Sequence, residues 1–155
     1  MTTATAPFAT LAALNALTAL TARELMSPVH ETIDADATLQ EVIDRFTAGV
    51  SRHLVVLDRD GRCLGVVGPR HINQAHHFDG RRDPEIPVRD LGCAPWIMLS
   101  PGDDLRTCAQ MLVEHDLDAI PVLDDDRRIL GLVTAYDVTR AAADAAAHEH
   151  PHWEE

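Results

Sequence analysis

The chain has 155 residues, 46% of them apolar, with a formal net charge of −12 at pH 7, so it is long enough to bury a core and too apolar to be disordered. That charge argues against nucleic acid, whose phosphates are bound by clustered Lys and Arg that release counterions; all thirteen basic residues are Arg. No run of eighteen apolar residues marks a membrane span, and three cysteines (Cys63, Cys93, Cys108) without C-x-x-C spacing argue against a disulfide framework or zinc site and fit a reduced cytoplasm.

Residues 1–20 are rich in Ala, Leu and Thr, with no basic residue before Arg23, which predicts a helix of the mature protein and not a secretory signal. Phe8, Leu11, Leu14, Leu17 and Leu20 recur every three residues. The apolar stripe they form needs a partner surface, either the rest of the chain or a second copy.

Beyond Leu20 the chain repeats itself. Shifted by 66 residues, segment 21–73 lies over 87–139 without a gap and with eleven identities, among them Arg23/Arg89, Leu57/Leu123, Asp58/Asp124, Gly65/Gly131 and Val67/Val133. Each copy opens with a short extended piece (31–33; 97–99). A helix comes next, begun in the first copy by the capping-box spacing T-L-Q-E at 38–41 and ending near Gly49. In the second copy Asp103 and Asp104 stand at the helix start, where carboxylates suit the dipole, and the helix reaches about His115. Two short apolar runs then flank a polar turn, 53–57 and 63–67 around D-R-D-G, and 119–123 and 129–133 around D-D-D-R. Such runs predict a buried hairpin. A final helix closes each copy, near 70–78 and 135–147. The expected organisation is an N-terminal extension (1–20), a β-α-β-β-α repeat (21–78), a polar linker (79–86), a second repeat (87–147) and a His-rich tail (148–155).

Over about 120 residues these motifs resemble the cystathionine-β-synthase (CBS) repeat family. E-L-M-S-P at 24–28 is like its usual opening, A-I-P-V-L-D at 119–124 like its strand and turn, and G-L-V-T-A-Y-D-V at 131–138 closely matches its pattern of Gly, apolar residues, Thr or Ser, two variable residues and Asp. The resemblance implies an α/β fold of two repeats packed side by side with two clefts, in modules that commonly dimerise. It implies ligands such as AMP, ADP, ATP or S-adenosylmethionine, with no cofactor required.

Thr134 at a strand end and Asp137 in the following helical turn face one spot. The hydroxyl and free helix amides suit a phosphate, and the carboxylate suits ribose hydroxyls. The resemblance places adenine among Pro95, Trp96, Ala119, Ile120, Pro121 and Leu132. In the first repeat Gly68 replaces Thr134 and His71 replaces Asp137. Losing that charge-assisted bond costs about 1.5–3 kcal/mol, or one to two orders of magnitude in affinity, so one competent cleft per chain is expected. By the same resemblance Arg52 and Arg70 are the candidates to reach across to its phosphates, each offering a planar fork.

Other features take ordinary readings. Thr and Asp also cap helices, Asp124–Asp126 lie in a turn, and Cys63 and Cys93 suit core filling. His76 and His77 suit a helix C-terminus. His148, His150 and His152 form H-x-H-x-H, but Pro151 interrupts them, which favours a solvated tail over a metal site. No catalytic motif is present. The expectation is a stand-alone cytoplasmic sensor, homodimeric and coupled to an effector protein, and not an enzyme. The alternative is a ligand-independent scaffold with degenerate sites.

Overall fold

The computed structural model describes residues 15, 18–49, 51–75, 83–91 and 96–147. Most of the N-terminal stripe, Pro95, Cys93, His76, His77 and the His-rich tail lie outside the described residues.

In chain order the elements are α1 (Ala22–Leu25), β1 (Thr32–Asp34), α2 (Leu39–Thr47), β2 (Leu54–Leu57), β3 (Cys63–Val67), α3 (Pro69–Ala75), a 3-10 turn (Val88–Asp90), α4 (Leu105–Glu114), β4 (Ala119–Leu123), β5 (Ile129–Thr134) and α5 (Ala135–Ala147). This is a mixed α/β fold, with the full β-α-β-β-α order in the first repeat and α-β-β-α in the second. β1 runs parallel to β2 and β2 antiparallel to β3. In the second repeat β4 and β5 form a hairpin, and the counterpart of β1 is a single parallel bridge from Leu99 to Val122.

Local chemistry sets the boundaries. The Thr38 backbone N–H donates to the Glu41 carboxylate (2.7 Å) and the Glu41 N–H to the Thr38 hydroxyl (3.3 Å), the reciprocal box that starts a helix. Asp104 caps α4 by accepting from the Thr107 N–H and hydroxyl, both at 2.8 Å. Both hairpin turns are built alike. Asp58 Oδ1 accepts from the N–H groups of Asp60 and Arg62, and Asp124 Oδ1 from those of Asp126 and Arg128, all at 2.9 Å. The left-handed position falls on Gly61 (φ 79°) in one turn and Arg127 (φ 63°) in the other.

The repeats exchange their leading segments. Ala22 N–H donates to Asp103 O, Arg23 N–H to Pro101 O, and Leu105 N–H to Leu20 O (2.7, 3.0 and 2.9 Å). Their counterparts 66 residues along do the reverse: Val88 N–H to Ala37 O, Arg89 N–H to Ala35 O, and Leu39 N–H to Ile86 O (2.8, 3.2 and 2.9 Å). Residues 20–27, first in the chain, therefore complete the second repeat, and residues 84–91 complete the first. The cores follow the same rule. Val88 and Leu91 pack with Ile33, Leu39, Leu54 and Val67, while Ala22 and Leu25 pack with Leu99, Cys108, Ile120 and Val133. A third cluster of Val55, Cys63, Leu123 and Leu132 joins the hairpins.

Gly131 lies where the exchanged segment crosses β5. Ser27 and Leu132 exchange both backbone hydrogen bonds (2.8 and 3.0 Å), and a Cβ on Gly131 would stand 2.7 Å from Met26 Sδ and 3.0 Å from the Ser27 carbonyl oxygen. The thioether can swing away; the carbonyl cannot without breaking the bridge. Gly131→Ala should cost about 1–3 kcal/mol by overpacking, read as a lower urea midpoint. A midpoint equal to that of the unmodified chain would show that residues 26–27 do not press on β5.

Candidate functional site

Thr134 and Asp137 meet as the sequence predicts. Asp137 Oδ2 accepts from both the Thr134 N–H and hydroxyl (2.9 Å each), and the Asp137 N–H donates back to Thr134 Oγ1 (3.1 Å). The other carboxylate oxygen, Oδ1, accepts from the Ser27 hydroxyl at 2.7 Å. Asp137 is 2% exposed. The pair thus caps α5 and ties the crossing segment to it, leaving the carboxylate satisfied from inside the protein.

Among the described residues, open space lies beside the first repeat's version of the motif. Two small adjoining cavities, about 30 and 40 Å³, share Val66, His71, Leu117 and Ala119. The first adds His53, Gly68, Arg70 and Asp118; the second adds Gly65, Ile97 and Pro121. Each has room for a few waters as it stands, so a ligand the size of a nucleotide would enter only as the two walls part. One wall is β3 with the start of α3, and the other is β4 with the turn before it. The cleft is therefore built by both repeats.

The remaining expected residues are divided by this geometry. Ala119 and Pro121 line the cleft, but with His71 and Arg70, not with Asp137. Ile120 points the other way into the second core and is fully buried. Leu132 belongs to the cluster between the hairpins. Trp96 is 73% exposed and lines neither cavity; its neighbour Ile97 does. Arg52 lines a different groove, with Phe46, Gly49, Ser51 and Pro69. Arg70 crosses to the second repeat and pairs with Asp116. The residues expected to line one cleft around Thr134 and Asp137 are thus divided between separate faces of the two hairpins, because β4 packs against β3 of the other repeat.

His53 and His71, which composition left unassigned as ligand contacts, sit together in the cleft. Burial lowers the His53 pKa below its usual value; Asp118 opposes this, and Arg52 and His71 reinforce it. Burial also lowers the His71 pKa; the Gly68 backbone opposes this and Arg70 reinforces it. His71 Nδ1 accepts from the Gly68 N–H at 3.1 Å, so the neutral ring carries its hydrogen on Nε2. Replacement of Asp by His has turned an acceptor into a donor at this position. Cys108, buried in the second core, has its thiol pushed up to about 11 by burial and then by Asp103 and Asp104, which leaves it inert. Among the described residues no three His, Cys, Asp or Glu side chains group as a metal site, and no helix is long and apolar enough to cross a membrane.

The CBS domain family model matches the chain twice, over residues 22–77 and 88–144. Among curated relatives, a homoserine O-acetyltransferase of Methanocorpusculum labreanum is 27% identical over 112 residues, which cover 72% of this chain and 22% of that protein. The chain thus spans about a fifth of the length of that relative. Among solved structures, a CBS domain pair in complex with 5′-methylthioadenosine and S-adenosyl-L-methionine superposes with a TM-score of 0.69 at 18% identity, covering 81% of this chain and 97% of that one. A CBS-domain protein in complex with AMP superposes with a TM-score of 0.65 at 22% identity, covering 81% and 98%.

The two histidines set a pH dependence. Their pKa values are lower folded than unfolded, so as pH falls below about 6.5 the unfolded chain takes up protons that the folded chain refuses. Stability is present above that pH and declines below it. The melting temperature should fall between pH 7.5 and 5.5, and the fall should shrink in a His53→Gln/His71→Gln variant. An undiminished fall in that variant would place the titrating groups elsewhere.

Proposed function

Because the chain belongs to the CBS domain family, we propose that it is a regulatory rather than catalytic module that binds an adenosine-type nucleotide between its two hairpins. The observation carrying this is the cleft with one apolar and one donor-rich end. Val66, Ile97, Leu117, Ala119 and Pro121 offer flat apolar walls to a purine, while Arg70 and the Nε2–H of His71 offer donors to a phosphate. The two relatives solved with AMP and with adenosyl compounds support the ligand class. Donors at the position of the second repeat's carboxylate favour AMP, ADP or ATP over S-adenosylmethionine, whose adenosine carries no phosphate.

A second reading keeps the ribose at Thr134 and Asp137. It is favoured by the single hydrogen bond on Asp137 Oδ1, which leaves that oxygen room for a further donor if the Ser27 crossing loosens. The module also has surfaces for self-association: Val113 on α4 and Tyr136 on α5 are 79% and 70% exposed. A homodimer through these helices is expected in sedimentation equilibrium, and a monomer throughout the accessible range would refute it. Transmission of occupancy to an effector protein belongs to the same proposal, and a ligand-independent scaffold is its alternative.

Thermal shift against AMP, ADP, ATP, S-adenosylmethionine, NAD and adenosine tests the ligand class. A ligand at 100 times its dissociation constant should stabilise by about 2.7 kcal/mol. Arg70→Ala should weaken AMP by about 10- to 100-fold, the worth of a charge-assisted bond. Asp137→Asn should instead lower stability with or without nucleotide, because the amide keeps an acceptor for the donors of only one side, Ser27 or Thr134. Loss of AMP affinity in Asp137→Asn but not Arg70→Ala would transfer the site to the second reading. No shift with any of the six compounds would favour the scaffold.

A further inference from the structure

The cation placed to meet a phosphate in this cleft is already engaged by an anion of the protein itself. Arg70, in the first turn of α3, pairs with Asp116, in the turn between α4 and β4. The pair spans the repeats and stands at the cleft's edge: Arg70 lines the cavity, and Leu117 and Asp118, the residues after Asp116, line its opposite wall. Asp116 holds its position at a cost. It has φ 52°, a left-handed conformation that non-glycine residues adopt rarely, with Asn and Asp the most tolerant. Its side chain is 86% exposed, so the guanidinium is its anchor. An ion pair so exposed contributes little to stability and is correspondingly easy to exchange.

We propose that Asp116 is an internal stand-in for the ligand's anion: it parks Arg70 across the edge of the cleft, and a phosphorylated ligand enters by displacing it. This rests on the reading of the cleft as a nucleotide site and adds its selectivity and its means of signalling. Adenosine has no anion to offer Arg70 and leaves the strap in place. A nucleotide phosphate takes Arg70 and frees the α4–β4 turn from α3, so that occupancy alters the connection between the repeats. The apparent affinity for phosphate is lowered by the competition, since binding must break one pairing to make another.

The test is titration calorimetry of the full chain with AMP and with adenosine. Asp116→Asn keeps the side-chain size and suits the left-handed backbone, so the fold is retained. It should tighten AMP by about two- to fivefold, the range of an exposed ion pair, and leave adenosine unchanged. Asp125→Asn, in the β4–β5 turn, removes one negative charge away from the cleft and should change neither. In an Arg70→Ala background Asp116→Asn should lose its effect on AMP. Unchanged AMP affinity in Asp116→Asn, equal tightening of adenosine, or the same gain in Asp125→Asn would each overturn the strap while the nucleotide site stood. Absence of AMP and adenosine binding in every variant would instead overturn the site, and the strap with it.

Discussion

The backbone hydrogen bonds that residues 20–27 make to the second repeat, and residues 84–91 to the first, are what the rest of the molecule depends on. Buried N–H and C=O groups have to be paired, and in each half the groups before its first long helix are paired by a segment from the other end of the repeat order. Neither repeat closes its own core. Val88 and Leu91 fill the first, Ala22 and Leu25 the second. The two halves are thereby held at one orientation, hairpin against hairpin, without needing a large apolar seam between them; the cluster of Val55, Cys63, Leu123 and Leu132 suffices.

The same crossing makes the two copies of the motif unequal. In the second repeat Ser27 arrives beside Asp137, and its hydroxyl donates to the carboxylate oxygen that Thr134 does not use. The motif thereby fastens α5 to the crossing segment. In the first repeat the corresponding position holds His71, whose Nδ1 is taken by the Gly68 N–H. Its remaining polar atom is a donor, next to Arg70 in a cleft walled by β3 and β4. Among the described residues the second repeat's motif makes its hydrogen bonds inward, and the first repeat's keeps a donor on a cleft. A protein of net charge −12 has poor long-range attraction for anions, so selectivity for a phosphate has to come from such short-range donors.

Much of the fold was legible in the residues. The capping box at Thr38 and Glu41, the cap at Asp104 and the twin Asp turns at Asp58 and Asp124 are local devices, satisfied within four residues, and the structure makes each of them. The apolar strands were readable from their length and flanking turns. The pairing of Thr134 with Asp137 was legible for the same reason. The exposure of Trp96 was not, because it depends on what the chain around it covers, and this residue is left largely in solvent.

By itself, then, the sequence determined every feature whose cause is local: the repeated α-β-β-α order, the caps, the turns and the identity of the family. Tertiary structure decided which residues share a cleft. Ala119 and Pro121 lie in the same hairpin as Thr134, yet they line a cleft with His71 and Arg70, because β4 packs on β3 of the other repeat. The Arg70–Asp116 pair joins residues 46 apart, and Ser27 meets Asp137 across 110. No periodicity or spacing encodes such contacts; they exist only once the exchanged segments have set one repeat against the other.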